Sequence, residues 1–171
     1  MKKRIIWIPI VIILIFLLVA TGLTFQDEPE GFRGLKWGDP PLEGMKLFNE
    51  QPLLNAYMIP NEHLFLGNVT LYLIAYQFFI QSEEEVFMAV GLYFKGEENH
   101  DRMKRICQEK FGEETEKDYQ SIAWFSLESM VMLKYDTIEE EGYLVMGSMP
   151  LSLERTAALK KLEAKKAEKD W

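Results

Sequence analysis

The sequence predicts an α+β protein: a mostly antiparallel sheet with one helix packed on a face, an N-terminal transmembrane or signal helix and a peripheral charged C-terminal helix. Three observations support this prediction. Residues 5–20 form an uninterrupted apolar run. Two long neighbouring segments in the middle of the chain carry the β-branched and aromatic side chains that strands prefer, and one of them alternates with a period of two. Residues 99–111 and 149–171 have helix-like signals instead.

The first 25 residues are predicted to enter a membrane. Lys2, Lys3 and Arg4 precede the apolar run, which continues with only mild polarity to Phe25. A spanning helix needs about 20 residues, whereas the apolar part of a cleaved signal has about 7–15. Residues 5–25 reach the first length, and they lack the polar face of a helix in a soluble protein. Because basic flanks stay in the cytoplasm, we expect a single-pass protein of the cell membrane with its C-terminal domain outside the cytoplasm.

Cleavage of this segment is the alternative. Ala20, Thr21 and Gly22 are small residues in a register that suits a signal peptidase, and the mature chain would then be secreted or periplasmic. In both cases the chain divides into residues 1–25, a membrane anchor or signal segment, and residues 26–171, a single extracytoplasmic domain.

The charge of the chain limits its partners. The formal net charge is −8, and three cations precede the apolar run, so residues 26–171 carry −11. We expect no binding to nucleic acid, whose phosphates this charge repels, and a basic envelope protein is the candidate partner. Cys107 is the only cysteine, so the chain cannot close an internal disulfide. We expect the Cys107 side chain to be buried as a small hydrophobic group.

The first strands are predicted from short apolar segments between turn residues. In residues 31–38, glycines surround Phe32, Leu35 and Trp37, which predicts a short strand edged by tight turns. Further strands are predicted at residues 53–59 and 63–66, on the two sides of a turn that begins with proline.

The clearest prediction is an antiparallel hairpin of residues 69–80 and 86–94. In its second strand, alternation places five large apolar side chains on one face, namely Val86, Met88, Val90, Leu92 and Phe94. Gly91 lies on the other face, where it favours a bulge or a close approach.

A helix with an antiparallel meander is predicted to follow. Asn99 is the expected N-cap and Gly112 the stop signal. Strands at residues 119–126, 130–135 and 143–148 come next. The C-terminal helix is residues 149–171, with Pro150 in its first turn and Ser152 as the cap. Because its apolar residues are mostly alanine, we expect its first turns to dock and its end to project.

Several segments resemble a family of small uncharacterised exported bacterial proteins. The resemblance is carried by the run Gly-Phe-Arg-Gly-Leu-Lys-Trp-Gly at residues 31–38, by Trp124, and by three tripeptides that begin at Lys110, Leu133 and Met146. It implies an exported α+β domain. That family has no assigned activity, so the resemblance implies no site.

The residues that catalysis and metal binding require are scarce. Only His63 and His100 are available as histidine bases, there is no Gly-x-Ser-x-Gly elbow, and Cys107 lies on the packing face of a helix. Glu97, Glu98, His100 and Asp101 crowd one helix start, but acids favour that position for the helix dipole alone. We therefore predict no catalytic, cofactor-binding or metal-binding residues, and no cofactor.

Three functions are consistent with these observations. The first is a non-enzymatic, membrane-tethered or exported domain of the cell envelope that is protein-binding or structural. The second is an acidic inhibitor-like or immunity-like protein that blocks a basic partner. The third is a hydrolase with an unrecognised carboxylate site, for which 27 acidic residues offer pairs without singling out any one.

Overall fold

The computed structural model describes residues 26–118 and 121–169. Its strands and helices are β1 (Gly31–Phe32), β2 (Leu35–Lys36), β3 (Lys46–Gln51), β4 (Leu54–Met58), β5 (Phe65–Leu66), β6 (Val69–Gln81), β7 (Glu84–Lys95), α1 (Glu97–Phe111), β8 (Glu116–Lys117), β9 (Ser121–Phe125), β10 (Ser129–Asp136), β11 (Glu141–Ser148) and α2 (Met149–Lys169). A mostly antiparallel sheet with two helices confirms the α+β prediction. The segment predicted to enter the membrane, residues 5–25, lies outside the described residues. Among the described residues, no helix is long and apolar enough to span a bilayer.

The main sheet is built around the hairpin of β6 and β7. Its strand order is β3-β4-β6-β7-β11-β10-β9-β8, with β5 paired to β6, and all pairs are antiparallel. After β7 the chain crosses one face of the sheet as α1. The strands β8 to β11 then run back as a meander, so that β11 pairs with β7 in the centre.

The sheet buries apolar side chains on both faces. The larger cluster lies on the face that α1 covers, and its fully buried members include Tyr76, Phe78, Phe87, Phe94 and Trp124. A smaller cluster lies on the opposite face, where Leu54, Phe79, Met88 and Ala89 are buried against α2. The central strands therefore have no polar face, which explains why β6 and β7 are so rich in aromatic and aliphatic residues.

The predicted five-residue face of β7 is wrong because the strand contains a bulge. Gln77 pairs with Ala89, but the next residue, Phe78, pairs with Phe87, so Met88 is the extra residue. The bulge reverses the alternation. Val90, Leu92 and Phe94 point to the larger cluster, whereas Val86 and Met88 belong to the smaller one.

Gly91 makes the close approach that its position predicts. A Cβ atom on Gly91 would lie 2.8 Å from Cε2 of Tyr93, whose ring folds over the glycine. Any larger residue at position 91 would therefore displace this ring.

Helix α1 begins before its predicted cap, whereas helix α2 begins at the predicted residue, Met149. Helix α1 starts at Glu97 after Gly96, and the Asn99 side chain instead accepts a hydrogen bond from the Thr70 N–H (3.3 Å) and donates one to the Lys95 carbonyl (2.9 Å). The stop at Gly112 is confirmed, with φ at 80°. At the start of α2, Ser148 Oγ accepts the Leu151 N–H (3.4 Å), the role predicted for Ser152.

The structure contains two further strands, β3 and β8, that the pattern did not predict. Both lie at edges of the sheet, and all residues of both strands are exposed. The segment predicted as one short strand is instead the hairpin of β1 and β2. An exposed edge strand has no buried face, so its sequence carries no alternation to detect.

The first half of α2 crosses the sheet and its second half extends past it. Leu151 and Ala158 pack against the smaller cluster. Glu154 accepts a hydrogen bond from Gln81 (2.5 Å), and the Arg155 guanidinium donates to the Pro52 carbonyl (3.4 Å). Residues 163–168 are all exposed.

A matched pair of leucines tests which side of α2 docks. Leu151 packs against the smaller cluster, whereas Leu153 is 62% exposed. We expect Leu151→Ala to lower the free energy of unfolding by about 1–3 kcal/mol, because a half-buried leucine loses its apolar contacts. Leu153→Ala is expected to change it by less than about 0.5 kcal/mol. Urea unfolding followed by tryptophan fluorescence measures both variants, and equal losses would contradict this packing.

Candidate functional site

Residues 26–39, which we call the strap, cross the face of the sheet that α1 also covers. At its start, the Gln26 N–H donates to the Phe111 carbonyl at the end of α1 (3.1 Å). At its end, the Gly38 N–H donates to the Phe87 carbonyl (2.9 Å), and the Phe87 N–H donates to the Asp39 carbonyl (2.7 Å). Phe87 lies beside the bulge in β7, so the strap satisfies backbone groups that the bulge and the end of β11 leave unpaired.

A half-buried carboxylate fixes the strap near its start. Glu28 accepts hydrogen bonds from the hydroxyls of Ser126 and Ser129, the latter at 2.9 Å. Both serines are buried in the turn between β9 and β10. Trp37 adds a second attachment, because its indole N–H donates to the Pro29 carbonyl (2.7 Å) and its ring packs on Phe87 with centroids 4.9 Å apart.

Arg33 fixes the tip of the β1–β2 hairpin in the middle of the strap. Its guanidinium donates to the Glu62 carboxylate (2.5 Å) and to the carbonyls of His63 (2.9 Å) and Phe65 (2.6 Å). Glu62 also accepts the Tyr76 hydroxyl (2.5 Å). Burial, and next the hydrogen bond to Glu62, raise the pKa of Tyr76, so this phenol stays protonated.

Two glycines make this hairpin possible. A Cβ atom on Gly31 would lie 2.0 Å from the Leu35 carbonyl oxygen, so no other residue fits there. Gly34 follows Arg33 in the turn with φ at 85°, a conformation that favours glycine. The glycine–arginine pattern of residues 31–34 therefore encodes a tight hairpin that aims Arg33 at Glu62.

A cleft of about 630 Å³, which we call the strap cleft, lies between the strap, α1 and β11. Its inner wall is apolar and is formed by Phe32, Leu35, Leu66, Ile106, Cys107, Phe111, Leu144 and Met146. Its volume falls in the range of about 300–1,000 Å³ that is typical of small-molecule sites. No pattern in the sequence predicts this cleft.

The mouth of the strap cleft carries both signs of charge. Asp27, Glu30, Lys36 and Lys110 line it, and all four are exposed. None of the four forms an ion pair with another residue in the described part of the chain. Both cations and carboxylates at the mouth are therefore available to the polar group of a ligand.

Cys107 contributes to the inner wall as a neutral thiol. It is fully buried on α1, as its sequence position predicts. Burial raises the pKa of the Cys107 thiol to about 12, and Lys110 offsets this only in part. Because the thiolate is the nucleophilic form, this side chain acts as apolar surface at neutral pH.

The residues at the start of α1 make separate structural contacts. His100 stacks on Tyr135 with centroids 4.7 Å apart, and Glu98 pairs with Arg102 on the same helix. Burial lowers the pKa of His100, although Asp101, 3.7 Å away, opposes the shift. Within residues 26–118 and 121–169, no three His, Cys, Asp or Glu side chains are grouped as a metal site would require.

Two acidic triplets, residues 83–85 and 139–141, and Trp124 also have definite places. Glu83 is exposed in the turn between β6 and β7 and Glu84 at the start of β7, whereas Glu139 and Glu140 are exposed in the turn between β10 and β11, beside the end of β7. The two acidic turns therefore lie at opposite ends of the sheet. Trp124 is buried, and its indole N–H donates to the Gly112 carbonyl (3.1 Å).

Substitution of Arg33 by lysine tests whether the guanidinium fork holds the hairpin. Lysine keeps the charge but cannot donate to three separate acceptors in this geometry, so we expect a loss of about 1–3 kcal/mol in the free energy of unfolding. Arg105→Lys is the matched control, since Arg105 is an exposed arginine on α1 and is expected to change stability by less than about 0.5 kcal/mol. Urea unfolding compares the two. An unchanged urea midpoint for Arg33→Lys would show that the guanidinium does not hold the hairpin.

The lowered pKa of His100 predicts that the stability of the fold depends on pH. Its pKa is lowered in the folded chain, so between that value and about 6.5, the pKa of a free histidine, the unfolded state binds more protons. Stability should therefore fall as the pH drops below about 7 and level off below the folded pKa. The variant His100→Phe keeps a ring to stack on Tyr135 and should lose this component. Thermal melts of both proteins between about pH 7.5 and 5.5 measure it, and parallel curves would contradict the assignment.

Comparison with known proteins gives no further assignment for this site. No protein-family model, no curated protein and no solved structure matches the chain.

Proposed function

We propose that this protein is a non-enzymatic binding domain of the cell envelope, tethered to the outer side of the membrane by residues 5–25 or released there after their cleavage. The strap cleft is its binding site. The observation that carries the proposal is the continuity of the chain: the apolar run ends at Phe25, and the strap that covers the cleft begins at the next residue.

The groups around the cleft favour binding over catalysis. The inner wall is apolar, its one potential nucleophile is a neutral buried thiol, and the charged side chains stand at the mouth. The Glu62 carboxylate beside the β1–β2 hairpin is already bonded to the Arg33 guanidinium and the Tyr76 hydroxyl. Apolar walls with a few polar groups at one end are typical of sites that hold a small ligand.

The two alternative functions have less support. An acidic inhibitor would need its negative charge on one docking surface, whereas the two exposed acidic turns lie at opposite ends of the sheet. A hydrolase would need two carboxylates that flank a substrate bond in a site shielded from water, whereas Asp27 and Glu30 at the mouth of the strap cleft are both exposed.

A topology experiment tests the proposed location. The full chain is fused at its C-terminus to alkaline phosphatase, which is active only outside the cytoplasm, and in parallel to a fluorescent protein that folds inside it. We expect phosphatase activity from the full chain and loss of that activity when residues 5–25 are deleted, since this segment supplies both insertion and orientation. Intact mass of the membrane fraction separates anchor from cleaved signal. Full-length, unprocessed chain in the detergent-free cytosolic fraction would refute the proposal.

A further inference from the structure

We infer that the strap cleft accepts a single acyl chain of a membrane amphiphile, with the polar head of that molecule at the charged mouth. This inference rests on the proposed function and adds the chemical class of the ligand to it.

The wall of the cleft suits a flexible hydrocarbon chain. All ten residues of the strap from Asp27 to Lys36 line the cleft, and the apolar side chains of α1, β5 and β11 complete its wall. A volume of 630 Å³ corresponds to about 20 water molecules, at about 30 Å³ each. Water in contact with the half-exposed side chains of Leu66 and Ile106 gains little hydrogen bonding there. A methylene chain that displaces this water is stabilised by the area that it removes from solvent.

The mouth of the cleft suits the polar end of the same molecule. Lys36 and Lys110 can pair with a carboxylate or a phosphate, and Asp27 and Glu30 can pair with an ammonium group. All four are exposed, so the head remains hydrated while the chain is buried. A fatty acid and a single-chain phospholipid share this chemistry, which is one apolar chain with one small charged head.

The position of the cleft brings it close to acyl chains. Asp27 lines the mouth and follows Phe25, the end of the apolar run, by two residues. Two residues of fully extended chain span at most about 7 Å, so an anchored protein holds the mouth near the surface of the bilayer. The Gln26 N–H is bonded to the end of α1, which fixes the cleft at the place where the chain emerges.

Photo-crosslinking of the full chain in vesicles tests this inference. The protein is reconstituted in vesicles of phosphatidylethanolamine and phosphatidylglycerol that contain either diazirine-palmitate or diazirine-lysophosphatidylcholine, and adducts are located by mass spectrometry of peptides. We expect adducts on the inner wall, at Leu66, Ile106, Leu144 or Met146, with at least one of the two probes. The more efficient probe identifies the preferred head.

A matched pair of isoleucines provides the control. Ile106→Trp narrows the cleft from α1, whereas Ile138→Trp places the same ring on a turn where Ile138 is 87% exposed. We expect Ile106→Trp to reduce adducts on the inner wall by about tenfold, the change that follows when about two methylenes lose apolar contact. Ile138→Trp should leave them unchanged. Thermal melts establish that both variants are folded. The adduct map of the unsubstituted chain does not depend on either variant.

The outcomes separate the inference from the proposed function. Adducts within residues 5–25 but none on the inner wall would overturn the acyl-chain site and leave the membrane tether in place. Adducts on the inner wall that Ile106→Trp and Ile138→Trp leave equally strong would also overturn it, because the label would then not depend on the cleft. Inner-wall adducts that only Ile106→Trp reduces support it, whether or not residues 5–25 are labelled.

Discussion

The structure depends on one constraint: the central strands of a wide antiparallel sheet carry apolar side chains on both faces and must be covered on both. The eight strands that lie side by side across the main sheet span on the order of 35 Å. Helix α1, with 15 residues, is about 22 Å long and about 10 Å across, so it cannot cover one face alone. The strap covers part of the remainder, and α2 covers part of the other face. The strap cleft is the gap that remains between the strap and α1 on the face that both of them cover.

The polar contacts of the strap determine where it lies, whereas apolar burial supplies the energy. Phe32 and Leu35 are buried against the sheet and hold the hairpin down. Arg33 with Glu62, and Glu28 with the two buried serines, add little stability beyond what well-packed apolar residues would give, because desolvation opposes their attraction, although loss of one partner alone is costly. Their geometry nevertheless admits only one placement of the strap, since any shift would leave buried hydrogen-bonding groups unpaired. The strap is therefore held in one position beside the cleft. Binding of a ligand would then require little further ordering of the protein.

The sequence predicts those elements whose side chains repeat with one period. The hairpin of β6 and β7 and the later meander have buried faces, and the pattern finds them. It fails where a backbone irregularity changes the phase, as at Met88, or where no face is buried, as in β3. It also fails for the cleft. Gly31 and Gly34 indicate tight turns, but the partners of Arg33 at Glu62 and of Gly38 at Phe87 are about 30 and 50 residues away and are joined only by the folded sheet.

The continuity between the apolar run and the strap gives the two fates of the N-terminal segment different consequences. An uncleaved segment holds the mouth of the cleft at the bilayer, where tethering raises the effective concentration of any ligand that resides there. Exchange would then occur by a short step between the outer leaflet and the inner wall. Cleavage near Gly22 would leave the strap and its attachments intact, because the first described contact is made by Gln26. The released domain would have the same cleft without the local supply and would act as a carrier. On the proposed function, the same fold would serve as a tethered or as a diffusing binding protein, according to whether residues 5–25 are kept or removed.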